Sequence, residues 1–137
     1  MKAGEISTEA ALEQLSAMPF RDLGFARPDL HRELRQGAPE AILADGKTPR
    51  QVAEIVRAMI EGGAGSVLVT RADQAARAAV REVAPNASED ARARLVWIER
   101  ALPAVRGVVT IVSAGTSDGP VVAEARVRAQ LLGTEVV

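Results

Sequence analysis

The chain has no cysteine and no tyrosine, and only one tryptophan, one histidine and two phenylalanines in 137 residues. Without cysteine there are no disulfides, no thiolate zinc sites and no cysteine nucleophile in this chain. With aromatic residues at 2%, the core has to come from Ala, Val, Leu and Ile, which suits helices packed on a β-sheet better than an aromatic-rich sandwich. Neither sign of charge dominates, since 17 Lys+Arg stand against 18 Asp+Glu for a net charge of −1. That balance supplies no basic field for a phosphate backbone and argues against non-specific binding to nucleic acid. No apolar run approaches the roughly 18 residues of a membrane span. The start, Met1-Lys2-Ala3-Gly4-Glu5, leads into a charged helical pattern and not into a signal peptide. The expectation is a cytoplasmic protein that meets neither nucleic acid nor membrane. What is present is 47% hydrophobic residues, an ordinary share for a globular chain. At this size such a chain buries roughly two-thirds of its unfolded surface, as one domain or one and a fragment.

Residues 7–18 open with Ser7 and Thr8 as candidate caps and place Ala11, Leu12, Leu15 and Met18 on one helical face, until Pro19 ends the pattern. Phe20 to Gly37 mixes charge with Gly24 and Pro28, and reads as loop with a helical turn around Asp29 to Arg35. From Pro39 the pattern sharpens. Glu40 to Ala44 is a short apolar run, Asp45-Gly46 turns the chain, and Thr48, Pro49 and Gln51 form a capping box. Val52, Ile55, Val56, Met59 and Ile60 continue that helix to Gly62-Gly63, and Ser66 to Thr70 reads as a buried strand. Strand, helix and strand with short connections predict a right-handed βαβ crossover.

A further helix is expected over Ala72 to Val83, with Ala75, Ala76, Ala79, Val80 and Val83 inward. Ser88 to Leu102 fits a helix, although Leu95 to Ile98 fits a strand equally well. A second βαβ pattern follows Pro103: a strand over Val108 to Val112, a loop over Ser113 to Asp118, and a helix from Val121 to Leu132. That helix carries Val122, Ala125, Ala129 and Leu132 inward, and Thr134 to Val137 begins another strand. The expected organisation is an N-terminal α/β domain over residues 1–102 and the start of a second domain over 103–137. Two strands do not bury both faces of a parallel sheet, so this second unit reads as cut off mid-fold or completed from elsewhere.

The strongest chemical constellation is the loop Ser113-Ala-Gly-Thr-Ser-Asp118, at the carboxyl end of a strand and the amino end of a helix. Orphan backbone N–H groups and the positive end of the helix dipole make such a place receptive to phosphate. Gly115 admits a ligand close to the backbone, and Ser113, Thr116 and Ser117 can donate to phosphate oxygens. Asp118 repels phosphate and better suits a sugar hydroxyl or a metal. The plainer alternative is that Ser117 or Asp118 caps the helix and Gly115 permits the turn. Gly46-Lys47-Thr48 invites comparison with a P-loop, but that pattern needs glycine at position 41, where Ala41 stands. Lys47 is therefore left as a solvent-exposed residue or a contact to an anionic ligand. Thr70-Arg71 sits where a parallel strand ends, a place where ligands bind in open α/β sheets, which makes Arg71 a second candidate contact. The other arginines from Arg71 to Arg81 and from Arg92 to Arg100 read as exposed sides of helices. His31 has Arg27 and Arg35 at helical ligand spacing, so it has no partner for a metal there.

Taken in order, Gly4-x-Ile-Ser-x-Glu9-Ala10, Asp29-x-x-Arg32-x-x-Arg35-x-Gly37-x-Pro39-Glu40, Gly46-Lys47-Thr48, Val69-Thr70-Arg71 and Ser113-Ala-Gly-Thr-Ser-Asp118-x-Pro120-Val121 resemble the LarB proteins of nickel-pincer cofactor biosynthesis, relatives of the PurE-type aminoimidazole ribonucleotide carboxylases. The resemblance implies an N-terminal helical and βαβ region followed by the first βαβ unit of a PurE-like, flavodoxin-type parallel sheet. It implies carboxylation of the pyridine ring of nicotinic acid adenine dinucleotide with CO2 or bicarbonate. Hydrolysis of the phosphoanhydride then releases AMP and a pyridinium-dicarboxylate mononucleotide. By the same resemblance Ser113, Thr116 and Ser117 lie near phosphate and Asp118 near ribose, Mg2+ is a candidate cofactor, and the protein is a homo-oligomer. The family is nearly twice as long and carries its cysteine nucleophile in the carboxyl-terminal half, so this chain is expected to be catalytically incomplete. Asp118-Gly-Pro-Val-Val-Ala-Glu124 also departs from the family's Asp-Leu-Pro-Val-Ala-Glu-Glu. A purine-pathway carboxylase or mutase and a non-catalytic nucleotide-binding or assembly fragment are the alternatives.

Overall fold

The structure, a computed structural model, describes Ser7, residues 20–30, Arg32, residues 36–38 and residues 40–137. The helix expected over 7–18, Ser7 excepted, lies outside the described residues, as do His31 and Arg35. At the start of the described core, Asp29 pairs with Phe20 in an isolated antiparallel bridge, and its N–H donates to Glu40 Oε2 at 2.7 Å.

The first unit follows the local signals closely. Ala41–Leu43 form β1, and Gly46 turns the chain in the left-handed region at φ 76°. Helix α1 spans Pro49–Glu61. Its capping box is complete: the Gln51 N–H donates to Thr48 Oγ1 at 3.2 Å, and the Thr48 N–H donates to Gln51 Oε1 at 2.9 Å. Gly63, at φ 86°, ends the helix, and the Ala64 N–H reaches back to the Met59 carbonyl at 3.0 Å. Strand β2, Ser66–Thr70, then lies parallel to β1 with Ile42 opposite Val69.

Helix α2 spans Gln74–Val83, starting later than the expected Ala72 because Asp73 caps it, accepting from the Ala76 N–H at 2.7 Å. Ala76 and Val80 form its buried face, whereas Ala75, expected inward, is exposed. The helix reading of residues 88–102 is overturned. Ser88–Asp90 form β3 and Leu95–Glu99 form β4, an antiparallel hairpin. Asp90 Oδ1 accepts from the N–H groups of Arg92 at 3.0 Å and Ala93 at 2.9 Å, a local turn that competes with helix. Arg92 and Arg94 therefore stand in a hairpin turn and not on a helix side.

The strands form one sheet in the order β1-β2-β4-β3, parallel between β1 and β2 and antiparallel beyond. All five residues of the central β2 are buried, and successive side chains serve opposite faces. Val67, Val69, Val96 and Ile98 meet Val52, Val56 and Met59 of α1 and Ala76 and Val80 of α2. Leu68, Leu95 and Trp97 face the other way, onto the helix of the second unit.

That second unit consists of β5, Val108–Val109, β6, Glu135–Val136, and between them α3, Gly119–Leu131. The two strands are parallel, with Val108 opposite Glu135. The strand expected over 108–112 is shorter because only two residues of β6 pair with it, although the Ile111 N–H still donates to the Val137 carbonyl at 2.9 Å. Helix α3 buries Val127 and Leu131, with Ala123 beside them, and Ala125 is exposed. The expected inward set of Val122, Ala125, Ala129 and Leu132 is thus corrected. The helix is apolar around much of its circumference, so its own periodicity does not select a face, and contact with Leu68 and Leu95 does. The result is an α/β arrangement with α1 and α2 on one face of the first sheet and α3 on the other. Arg128 on α3 is partly buried, and desolvation, followed by the like charge of Arg32, lowers its pKa below the ordinary arginine value. Among the described residues no helix is long and apolar enough to cross a membrane.

Candidate functional site

The chain leaves β5 at Val109, runs without regular secondary structure through Ser113, and tightens into a single 3-10 turn, Thr116–Asp118, before α3. Pro120 in the first turn of α3 sets helical backbone where no N–H is needed. Asp118 occupies the cap position but makes no capping hydrogen bond, so capping by this carboxylate does not account for the loop. Thr116, Ser117 and Asp118 make no side-chain hydrogen bond among the described residues. Gly115 has φ −127°, a conformation open to any residue. A Cβ there would stand 3.4 Å from Ser117 Oγ and 3.6 Å from Asp118 Oδ2, ordinary contact distances, so neither the backbone nor the space requires glycine at this position.

Thr116 and Ser117 line a hollow of about 330 Å³ whose opposite wall is the β3–β4 turn, with Asp90 and Arg92. Ser113, Gly115 and Asp118 lie outside that lining. The Asp90 carboxylate is engaged by two backbone N–H groups, while the exposed Arg92 guanidinium has no ion-pair partner among the described residues. Two hydroxyls, an arginine and the first turn of a helix thus share one concavity, a donor set that suits an oxyanion. Arg92 escaped sequence reasoning because its position opposite the loop depends on α3 docking across the sheet, for which no local pattern exists.

Lys47 and Arg71 meet at a different place, the carboxyl ends of β1 and β2. They line a hollow of about 100 Å³ together with Asp45, Asp73 and Arg94. Asp45 lies between two guanidinium groups, 3.5 Å from Arg71 Nη1 and 3.3 Å from Arg94 Nη2. Arg94 Nη2 also donates to the Arg71 carbonyl at 2.8 Å, and Lys47 Nζ donates to the Leu43 carbonyl at 2.8 Å. Arg71 and Arg94 are the two described non-glycine residues with left-handed backbone, at φ 53° and 57°, a conformation that costs about 1 kcal/mol or more for each. Among the described residues no group of three or more His, Cys, Asp or Glu is placed to hold a metal ion.

Comparison with the curated proteins returns no match. A family model described as the LarB/PurE-like N-terminal domain matches residues 20–100, which span the β1 to β4 sheet with α1 and α2 and stop short of the Ser113 to Asp118 loop. Covering more than half of the chain, that match establishes that the protein belongs to the LarB/PurE-like N-terminal domain family.

Proposed function

We propose that the hollow between Thr116, Ser117 and Arg92 receives the phosphoribosyl end of a pyridine mononucleotide. In this reading the chain is the anchoring part of a LarB-type enzyme. That enzyme carboxylates nicotinic acid adenine dinucleotide with CO2 or bicarbonate and cleaves its phosphoanhydride, giving AMP and a pyridinium-dicarboxylate mononucleotide. The observation that carries the reading is that Thr116 and Ser117, whose hydroxyls make no hydrogen bond among the described residues, line one concavity with Arg92 at the start of α3. The volume of about 330 Å³ matches a small ligand site. The loop's one carboxylate, Asp118, lies outside the lining, and the charge of Asp90 is dispersed over two N–H donors, so little opposes a phosphate there.

The contribution of this chain is positional. Holding the phosphate end turns the meeting of the pyridine ring with its reaction partner into a reaction within a held geometry. The covalent step that makes an electron-poor ring reactive toward CO2 requires a nucleophile. The family's cysteine is not among these residues, and the step is not assigned to them.

Calorimetric titration of the chain with nicotinic acid mononucleotide, AMP and aminoimidazole ribonucleotide tests this reading. Saturable binding of nicotinic acid mononucleotide, tighter than that of AMP, is expected. Preference for aminoimidazole ribonucleotide would move the reading to the purine-type carboxylation, and no binding of any of them would overturn it.

A further inference from the structure

The smaller hollow at the carboxyl ends of β1 and β2 shares no lining residue with the Thr116–Ser117 hollow and does not depend on the reading given to it. We infer that it is a phosphoryl-oxyanion site in which Arg71, Arg94 and Lys47 are the ligands, and Asp45 is the carboxylate that gathers the two guanidinium groups until an anion displaces it. Two guanidinium groups meet at this spot from the end of β2 and the β3–β4 turn, and Lys47, in the turn after β1, lines the hollow while its ammonium group donates to the Leu43 carbonyl. Like charges so gathered repel one another unless something negative holds them.

Asp45 does so only loosely. Its contacts at 3.3 and 3.5 Å are longer than the roughly 2.7–2.9 Å of a closed charge-assisted pair. Asp73, the other carboxylate of the lining, is already engaged in capping α2. Lys47 is held by the Leu43 carbonyl and has no carboxylate partner among the described residues. Lys47 precedes the cap of α1 and Ala76 lies in the first turn of α2, so the positive ends of two helices add to the same field. A planar monoanionic carboxylate would be matched by a single guanidinium fork, whereas two guanidinium groups, with Lys47 on the same rim, offer the additional donors that a tetrahedral dianion accepts. At about 100 Å³ the hollow holds one such group, with the rest of any ligand lying outside it.

The test is an amide-resonance titration of the intact chain at low salt, with inorganic phosphate in one arm and AMP in the other. Saturable shifts are expected at residues 45–47, 71–73 and 94. Arg94→Ala and Arg71→Ala should each weaken binding by roughly tenfold, as loss of a charged donor does. Asp45→Asn, which removes the competing carboxylate, should tighten it. Thermal melts of each variant check that the fold is intact. AMP acting at lower concentration than phosphate identifies a nucleotide phosphate as the ligand, and equal potency identifies the free anion. Absence of saturable shifts at these residues would overturn the inference. So would an Asp45→Asn variant that binds as weakly as Arg94→Ala, because the cluster is then only a structural ion-pair network.

Discussion

The Arg94 guanidinium donates to the carbonyl oxygen of Arg71 at 2.8 Å, and these two residues share left-handed backbone, at φ 57° and 53°. The Ala72 N–H donates in turn to the Arg94 carbonyl at 2.8 Å, so the end of β2 and the β3–β4 turn are tied together. The link gathers two arginines around Asp45, whose sequence separation from Arg94 is 49 residues.

This arrangement predicts a trade between stability and anion binding at Arg71. Arg71→Gly removes left-handed strain and loses an ion pair at 3.5 Å between side chains that are 63% and 46% exposed, a pair that contributes little. Urea unfolding should show the variant unchanged or up to about 1 kcal/mol more stable, while its phosphate affinity falls. A loss of more than about 1 kcal/mol would show that the arginine serves the fold.

Thr48→Ala removes one hydrogen bond of the α1 capping box and the orientation of the other. The expected cost is about 1 kcal/mol, or roughly 3 °C in melting temperature, with Thr48→Ser restoring most of it. Differential scanning calorimetry of the two variants measures both values, and equal melting temperatures for Thr48→Ala and the parent would contradict the assignment.

Packing of α3 on the first sheet gives a third prediction. Leu131 is 2% exposed against Leu68 and Leu95, so Leu131→Ala should cost about 2–4 kcal/mol. Ala125→Ser, on the exposed face of the same helix, should stay within about 0.5 kcal/mol of the parent. Chemical denaturation showing the reverse order would mean that the helix buries its other side.

The Gly133 backbone sets a fourth. It has φ 76°, and a Cβ there would stand 2.8 Å from the Ala104 carbonyl oxygen. Gly133→Ala therefore combines backbone strain with a close contact to main chain, and should destabilise by about 2 kcal/mol in urea unfolding. A cost below about 0.5 kcal/mol would place the segment 103–107 elsewhere.

Much of the first unit was legible because its signals are local. The Thr48, Pro49 and Gln51 spacing, the apolar series from Val52 to Met59 and the Ser66 to Thr70 run each act within one element. Leu95 to Ile98 stayed ambiguous because four apolar residues fit either period, and the decisive feature, the Asp90 side chain accepting from Arg92 and Ala93, is a turn that mimics a helix start. The buried face of α3 was misread because the helix is apolar on several sides and only the distant Leu68 and Leu95 select among them. Of the candidate contacts, Thr116 and Ser117 line one hollow and Lys47 and Arg71 line another. Arg92 and Arg94, which complete those hollows, are delivered by strand pairing and helix docking between segments far apart in sequence.

The most direct test of the mononucleotide reading is the dissociation constant of nicotinic acid mononucleotide for Ser117→Ala and Arg92→Ala, measured by calorimetry beside the parent chain and Arg94→Ala. The account predicts roughly tenfold weaker binding for the first two, corresponding to about 1.4 kcal/mol, and little change for Arg94→Ala. Parent-like affinity in Ser117→Ala and Arg92→Ala, or loss confined to Arg94→Ala, would contradict it.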